Sequence, residues 1–317
     1  MKSPKQSSNH TQSTKSLSWS VVDAQDYFDR LAADIDTAKH CIRIKTMTYK
    51  TGPILARVET ALRKAAHRGV VVELHLDKYA LIGMGLSSLD SLRKLQQSGV
   101  YVQWHGRIKL NPFSGRSHTK FAVIDSHVYA FGGMNFKESS GTHRDFMLYA
   151  QSKPLAAYLC NLNTHTRPVT HFPWGNVVYD SGKFHNSPIL SNALQHASLS
   201  NSIIYVSKMA PDGQILKQIK RTKGKVLYNS VYSRRTSTMT KLAAFLAGRG
   251  TPPKNAYSAH QGYLHMKCLL MKAGDGLTTV VTGSHNFSSL GVRFGTEELA
   301  LVSHDPELYK AIASRLP

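Results

Sequence analysis

The sequence is short of three things: cysteine, acidic side chains and long apolar runs. Its three cysteines, Cys41, Cys160 and Cys268, lie far apart and form no C-x-x-C pair. Such spacing disfavours a disulfide framework or a cysteine zinc site and favours a reducing compartment. No stretch approaches the roughly 20 consecutive apolar residues of a membrane-spanning helix, and the polar N-terminus lacks the apolar core of a secretory signal. We therefore expect a cytoplasmic protein, with peripheral attachment to a membrane as a further option.

The shortage of acidic residues leaves a large positive charge. The 317 residues include 40 Lys and Arg against 19 Asp and Glu, which gives a formal net charge of +21. The densest basic region runs from Lys208 to Lys241 and contains nine Lys and Arg with a single acidic residue, Asp212. An excess of this size indicates a polyanionic partner: nucleic acid, an anionic membrane surface or a phosphate-bearing substrate.

Apolar residues follow two alternating periods along the first half of the chain. Helical spacing occurs in residues 21–40, 52–69 and 89–99. Alternating or continuous apolar runs that are typical of strands occur in residues 40–49, 70–79 and 100–106. Strands that alternate with helices predict an α/β fold with mainly parallel sheets. Residues 120–125 and 127–133 are predicted to form two more strands, joined by a tight Asp-Ser turn.

The second half repeats this plan in shortened form. Predicted helices cover residues 190–198, 213–221 and 240–248, and predicted strands cover 202–209, 225–232, 263–271 and 278–287. A repeat of about 150 residues indicates an internal duplication. We therefore predict a disordered tail (1–17) and two pseudo-symmetric halves (18–180 and 181–317), in an αβαβα arrangement with the site at their interface.

Two short motifs occur at matching places in the halves. His118-Thr119-Lys120 and His265-Met266-Lys267 both lie on predicted strands, and sixteen histidines give about one such match by chance. Each motif precedes a strand that ends in a glycine–asparagine turn, Gly132–Asn135 in the first half and Gly283–Asn286 in the second. An acidic residue follows each turn. Five features in the same order, twice, are not expected by chance.

The paired motifs resemble the signature of the phospholipase D superfamily, H-x-K-x4-D with a downstream G-(G/S)-x-N, present twice. Asp125 completes the first copy, but Lys272 stands at the matching position of the second, with Asp275 three residues later. Residues 115–136, followed by HRDFML, resemble the first motif of bacterial cardiolipin synthases. The resemblance covers nearly the whole chain after the tail and implies phosphodiester chemistry with no metal and no cofactor.

The residue types fit attack on phosphorus. One imidazole can attack to form a phosphohistidine while the other protonates the leaving alcohol and later activates the incoming water or alcohol. Following the superfamily, we assign the nucleophile to His118 and the acid/base to His265. Positive and amide groups would hold the anionic oxygens: Lys120, Lys267, Asn135 and Asn286.

Each imidazole also needs a carboxylate on its far ring nitrogen. By order along the chain we assign Asp145 to His118 and Glu297 to His265, with Glu298 as a direct competitor of Glu297. Five further motif residues are predicted to shape the turns: Asp125, Gly132, Gly133, Gly283 and Ser284.

Other polar residues are expected to have structural roles. We interpret three strand histidines, His75, His127 and His285, as hydrogen-bonded structural residues. Trp104 and His105, upstream of the first motif, either line the site or belong to the core.

Three functions remain open from the sequence. The first is a cardiolipin synthase-like phosphatidyltransferase or phospholipase D, which would dock on anionic lipid through a basic face such as Lys208 to Lys241. The alternative is a nuclease of the same superfamily, since +21 equally suits a phosphate backbone. The third is a non-catalytic binding protein. In each case one chain would contain the complete site, and no oligomer is required.

Overall fold

The computed structural model describes residues 17–106, 115–182, 186–229, 262–288 and 295–316. These ranges form two seven-stranded sheets flanked by helices, together with a small two-stranded sheet. The expected α/β class is confirmed. No helix within the described ranges is both long enough and apolar enough to span a bilayer.

The first sheet is built from the N-terminal part of the chain. Its strands are β1 (Ser20–Asp23), β2 (Cys41–Thr46), β4 (Val71–Asp77), β5 (Tyr101–His105), β6 (Phe121–Ile124), β7 (His127–Ala130) and β9 (Phe146–Gln151), in the order β1-β9-β7-β6-β2-β4-β5. The helices of this part are α1 (Ala24–Thr37), α2 (Pro53–His67), α3 (Leu86–Gln97) and α4 (Lys153–Cys160). The small sheet pairs β3 (Tyr49–Lys50) with β8 (Phe136–Lys137).

The second sheet has a matching plan. Its strands are β10 (Val169–Phe172), β11 (Gly175–Ser181), β12 (Ser200–Val206), β13 (Lys225–Leu227), β14 (Cys268–Ala273), β15 (Thr278–Gly283) and β16 (Glu297–Ser303), in the order β10-β11-β16-β15-β14-β12-β13. Its described helices are α5 (Pro188–Leu199), α6 (Gly213–Arg221) and α7 (Pro306–Ala313).

The expectation of mainly parallel sheets is wrong. In the described part of the chain, the parallel pairs of the large sheets are β2–β4, β4–β5 and β12–β13, and the other pairs are antiparallel. The reason is local. The two-residue turn at Asp125 and Ser126 is too short for a crossover connection, so β6 and β7 form an antiparallel hairpin.

The division between the halves also falls earlier than predicted. β10 and all of β11 except Ser181 lie in the predicted first half, yet β11 pairs with β16 in the second sheet from Asn176 to Ser181. By sheet membership we therefore place the change of half before Val169. Leu17, assigned to the tail, packs against the core, whereas residues 1–16 lie outside the described residues. The predicted helix 240–248 and residues 230–241 of the basic region also lie outside them.

One hydrophobic core lies between the two sheets and contains residues of both halves. Phe121 and Val123 of β6 enter it from one side, and Cys268 and Leu270 of β14 enter it from the other. Helices α4 and α7 contribute to the same core, while α1 with α2 and α5 with α6 cover the outer faces. Alternate residues of β6 are therefore buried on opposite faces. This layering agrees with the expected αβαβα order.

Candidate active site

The two His-x-Lys motifs lie in extended backbone immediately before β6 and β14, rather than on the strands as predicted. Their lysines are almost completely buried, with exposures of 2% for Lys120 and 1% for Lys267. The ammonium group of Lys120 donates to the carbonyl oxygen of His118 at 2.7 Å, and Lys267 makes the same contact with His265. Each motif therefore fixes its own lysine next to its histidine.

Backbone contacts join each motif to the opposite half. The His118 amide donates to the Glu297 carbonyl at 2.8 Å, and the Glu297 amide donates to the Arg116 carbonyl at 2.7 Å. In the other copy, the His265 amide donates to the Arg144 carbonyl at 2.9 Å. These short parallel bridges place the acidic residue of one half beside the histidine of the other.

The histidine–carboxylate pairs are consequently crossed, which corrects the predicted assignment. Nδ1 of His118 lies 2.9 Å from Glu298 Oε1, and Nδ1 of His265 lies 2.7 Å from Asp145 Oδ2. Asp145 therefore serves the second histidine rather than the first. Because each carboxylate engages Nδ1 and accepts its proton, Nε2 is the nitrogen with a lone pair for reaction.

Glu297, the predicted partner of His265, contacts neither histidine through its carboxylate. It accepts from Lys45 Nζ at 2.6 Å and from the Tyr179 hydroxyl at 2.8 Å. Successive side chains of a strand point to opposite faces, so Glu297 and Glu298 cannot both face His118. Lys45 lies in β2, far from the motifs in sequence, and no sequence signal identified it.

Turn residues hold the two carboxylates in place. The Ser284 hydroxyl donates to Glu298 and accepts from the Leu299 amide at 3.0 Å. Asp145 accepts from the Gly133 amide at 3.2 Å and from the Phe146 amide at 2.9 Å. The two glycine–asparagine turns therefore orient carboxylates as well as backbone.

Glycine is required in these turns because a neighbouring segment of the chain passes very close to their Cα atoms. A Cβ at Gly132 would lie 1.8 Å from the Phe146 carbonyl oxygen, and one at Gly283 would lie 2.1 Å from the Leu299 carbonyl oxygen. At Gly133 the nearest atom would be Asp145 Oδ2, at 2.5 Å. No side chain fits at these distances.

Burial has the largest effect on the pKa values of the motif histidines and lysines. It lowers the pKa of His118 to about 4 and the pKa of His265 well below its usual value, with nearby lysines adding to the effect. Burial and the charge of Lys267 lower the pKa of Lys120 to about 7, and burial also lowers the pKa of Lys267. The effect of Lys267 on the pKa of Lys120 indicates that the two motifs form one electrostatic cluster.

The pKa values of the two carboxylates, Glu298 and Asp145, differ strongly. Burial opposes ionisation of Glu298, but the contact with His118 outweighs it and holds the pKa of Glu298 at about 2. Burial raises the pKa of Asp145 to about 6, against the lowering influence of Lys267. The two halves thus present different proton acceptors to otherwise similar imidazoles.

The turn asparagines lie beside this cluster. Asn135 is buried, and within the described residues its Oδ1 has no hydrogen-bond partner. Asn286 Oδ1 accepts from the Ser207 hydroxyl at 3.4 Å. Ser207, at the end of β12, is a site residue that the motif analysis missed, because it belongs to neither motif.

Asp125 has a structural role at the far end of β6. Its carboxylate accepts from the amides of Lys39, His40 and Cys41 at 2.9–3.0 Å. Asp275 accepts from the Leu277 amide of its own turn, and Lys272 lies 5.2 Å above the Tyr309 ring. The loop of Asp275 therefore does not reproduce the contacts of Asp125.

Two of the histidines interpreted as structural have the expected partners. His75 Nδ1 lies 2.7 Å from His105 Nε2, and His127 Nδ1 lies 2.7 Å from the Tyr149 hydroxyl. His285 accepts from the Phe287 amide and also helps to lower the pKa of Glu298. His285 is therefore nearer to the reaction centre than the sequence indicated.

The surroundings of His265 include aromatic rings that the sequence did not identify. The His143 ring centroid lies 5.3 Å from that of His265, and the Tyr263 ring is stacked at 6.2 Å. Across the described ranges, no three His, Cys, Asp or Glu side chains are grouped as metal ligands.

Comparison with known proteins gives a family match within the first half and several curated relatives. Residues 31–162, which include His118, Lys120, Asn135 and Asp145, match the family model described as "Cardiolipin synthase, PLD-like domain". The major cardiolipin synthase of Bacillus subtilis (strain 168) is 30% identical over 132 residues, covering 40% of this chain and 27% of that protein. Cardiolipin synthase A of Buchnera aphidicola is 31% identical over 132 residues, covering 38% of this chain and 26% of that protein. The chain thus matches about a quarter of the length of these curated relatives.

A solved structure extends the likeness of the fold to both halves. Phosphatidylserine synthase from Haemophilus influenzae Rd KW20 has a TM-score of 0.65 to this chain, covering 95% of this chain and 85% of that chain at 10% identity. At this identity the likeness concerns the fold. Residues 31–162 therefore resemble the phospholipase D-like domain of cardiolipin synthases, and the described chain has a fold similar to that of phosphatidylserine synthase.

Proposed function

We propose that the protein is an enzyme that transfers a phosphatidyl group from a phospholipid to an alcohol through a phosphohistidine. One observation carries this proposal: a half-buried and a buried histidine, each with a carboxylate on Nδ1, share one cluster with two buried lysines. The names of the relatives, cardiolipin synthases and a phosphatidylserine synthase, support a phospholipid as donor.

In the first step, Nε2 of His118 attacks phosphorus, and the bond from phosphorus to the leaving oxygen breaks. His265 gives its proton to that oxygen, so the alcohol leaves neutral. Lys120 and Lys267 hold the non-bridging oxygens. The anionic phosphate offsets the lysine charges that depress the pKa of His265, so substrate binding favours the protonated acid.

In the second step, His265, now neutral, takes the proton of the acceptor hydroxyl. The acceptor oxygen attacks phosphorus, the phosphorus–nitrogen bond breaks, and His118 is released. Glu298 and Asp145 stabilise the imidazolium that forms at each partner during the cycle. Water in place of the alcohol would give phospholipase D activity.

An apolar rim marks the side of the molecule that we propose to face the lipid. Leu81, Leu86 and Leu89 are exposed by 43%, 85% and 42%. They follow β4, whose last residue, Asp77, accepts from the Ser117 amide beside the first motif. Lys208, by contrast, is half-buried and interacts with Lys267, so this lysine does not belong to an outer docking face.

The charge of +21 keeps a nuclease as the second candidate. Purified protein in EDTA should exchange headgroups on phosphatidylglycerol vesicles and leave single- and double-stranded DNA uncut. Cleavage of DNA with inert lipid would contradict the lipid assignment, and inactivity on both substrates would favour a binding protein.

The catalytic roles have a separate test. His118→Ala and His265→Ala should each abolish turnover, since neither attack nor proton transfer has a substitute. With His265→Ala, a donor that carries a good leaving group should still form an acid-labile phosphoenzyme, detectable by mass spectrometry. Phosphoenzyme in His118→Ala but not in His265→Ala would reverse the roles of the histidines.

A further inference from the structure

Lys208 is held against the second motif by its backbone. It follows β12, and its carbonyl oxygen accepts from Asn229 Nδ2 at 3.4 Å. Asn229 also pairs in both directions with the backbone of Leu264, the residue before His265, at 2.6 and 3.0 Å. On the other side, the hydroxyl of Ser207 donates to Asn286. The backbone of Lys208 therefore lies between the His265 segment and the second asparagine turn.

Lys137 reaches the same region from the first half. It lies two residues after Asn135 and is the direct partner of Lys50 in the parallel pair β3–β8. Neighbouring strands are about 4.8 Å apart, so these two lysines are adjacent. Glu138, the acidic residue next to Lys137, is engaged elsewhere, since its carboxylate accepts from the Ile54 amide at the start of α2.

In the described part of the chain, no carboxylate balances the charges of the three lysines. Burial and the charges of Lys267 and Lys137 lower the pKa of Lys208 to about 8, and burial with the charge of Lys50 lowers the pKa of Lys137. Within the described residues, none of these three ammonium groups has a hydrogen bond or an ion pair with a carboxylate. Partly buried like charges destabilise the protein until an anion enters.

We propose that Lys208 and Lys137, with Lys50 at the edge, form a second anion subsite that binds a phosphate group on the alcohol substrate. This inference rests on the proposed function, because it places the alcohol beside His265. In that mechanism the leaving and the incoming alcohol oxygens both exchange protons with His265, and Lys208 lies on that side of the centre. A phosphoglycerol headgroup and the next phosphate of a nucleic-acid strand share this chemistry.

The test compares acceptors with and without a phosphate. The full chain is assayed with a short-chain phosphatidylglycerol donor and with either glycerol or glycerol 3-phosphate as acceptor. For Lys208→Met we expect KM for glycerol 3-phosphate to rise about tenfold or more, the usual scale for losing a charged hydrogen bond. KM for glycerol should rise much less than KM for glycerol 3-phosphate. Lys208→Arg should restore most of the affinity for glycerol 3-phosphate.

Lys64→Met is the matched control, since Lys64 is an exposed lysine in the last turn of α2, and it should change neither KM. Lys137→Met is a second, independent variant with the same expected selectivity as Lys208→Met. Equal effects on the two acceptors, or no effect on glycerol 3-phosphate, would overturn the subsite.

Direct binding separates this inference from the proposed function. Calorimetric titration with glycerol 3-phosphate should show a weaker dissociation constant in Lys208→Met than in the wild type, whether or not any lipid is turned over. Unchanged binding would overturn the subsite even if transfer to glycerol proceeds. If Lys208→Met instead reduces DNA cleavage while binding of glycerol 3-phosphate is unaffected, the phosphate belongs to a nucleic-acid strand and the assignment to the alcohol substrate is wrong.

Discussion

At the residue scale, Glu297 and Glu298 are chain neighbours with separate partners. Glu298 engages His118, while Glu297 engages Lys45 and Tyr179. Glu298→Gln keeps the shape but cannot stabilise an imidazolium, so we expect kcat to fall by about a hundredfold or more. Steady-state kinetics on vesicles measure this loss.

The matched control for that variant is Glu297→Gln, which retains an acceptor for Lys45 and Tyr179. It should keep most of the activity and lower the free energy of unfolding instead. A larger kinetic loss in Glu297→Gln than in Glu298→Gln would contradict the crossed pairing.

The depressed pKa of Lys120 predicts how anion binding depends on pH. In the free protein this pKa is about 7, below the ordinary value of 10.5, because of burial and Lys267. A bound dianion raises the pKa of Lys120 again. Binding is therefore accompanied by uptake of a proton at pH values between about 7 and 10.5. Affinity should therefore fall as pH rises above 7, by about tenfold per pH unit for each proton taken up.

Sulfate is a suitable probe for this effect, since it stays a dianion throughout the range. Calorimetry in two buffers of different ionisation enthalpy counts the protons directly. Sulfate affinity that is constant from pH 7 to 10 would show that Lys120 is already fully charged at neutral pH without a ligand.

At the scale of the elements, the hairpin β6–β7 is anchored to β2 through Asp125. Its carboxylate accepts from three consecutive amides, at residues 39–41, and its own φ is +52°. Asp125→Asn should retain the turn but weaken these bonds, and Asp125→Ala should lower the free energy of unfolding by about 2 kcal/mol. Denaturant titration checks the loss.

The corresponding hairpin β14–β15 supplies the control. Asp275 is bonded within its own turn, so Asp275→Ala should change the free energy of unfolding by less than about 0.5 kcal/mol. A loss as large as that of Asp125→Ala would mean that Asp275 supports the second half in the same way.

The elements were largely predictable from apolar periodicity, and their pairing was not. The helices α1, α2 and α6 and the strands β2 and β4 lie where their spacing places them. The partner of His118 could not be derived from the sequence, because His118 and Glu298 lie in different halves and are 180 residues apart along the chain. Lys45, Ser207 and Lys208 were missed for the same reason, since each reaches the centre from a strand outside the motifs.

At the scale of the whole molecule, the distribution of exposed leucines predicts which side meets a bilayer. Leu86 belongs to the rim near the first motif, and Leu199 precedes β12 at the end opposite to Lys208, about 30 Å away along the strand. Leu86→Glu should weaken binding to phosphatidylglycerol vesicles by about tenfold or more, the scale of one buried leucine.

Leu199→Glu is the matched control for vesicle binding and should have little effect in the same flotation assay. Both variants should turn over a monomeric short-chain donor at the wild-type rate, because neither residue contacts the centre. Weaker vesicle binding in Leu199→Glu than in Leu86→Glu would place the bilayer at the other end of the second sheet.

The crossed carboxylates have a consequence for the history of such a chain. In a symmetric dimer of single-motif subunits, each subunit would give its carboxylate to the histidine of its twin, and gene fusion would preserve both contacts unchanged. After fusion each histidine and its carboxylate are inherited in different copies, so neither copy can lose its acidic residue without disabling the other. Under such a history, the aspartate of one pair and the glutamate of the other would be a difference that arose between the copies after fusion.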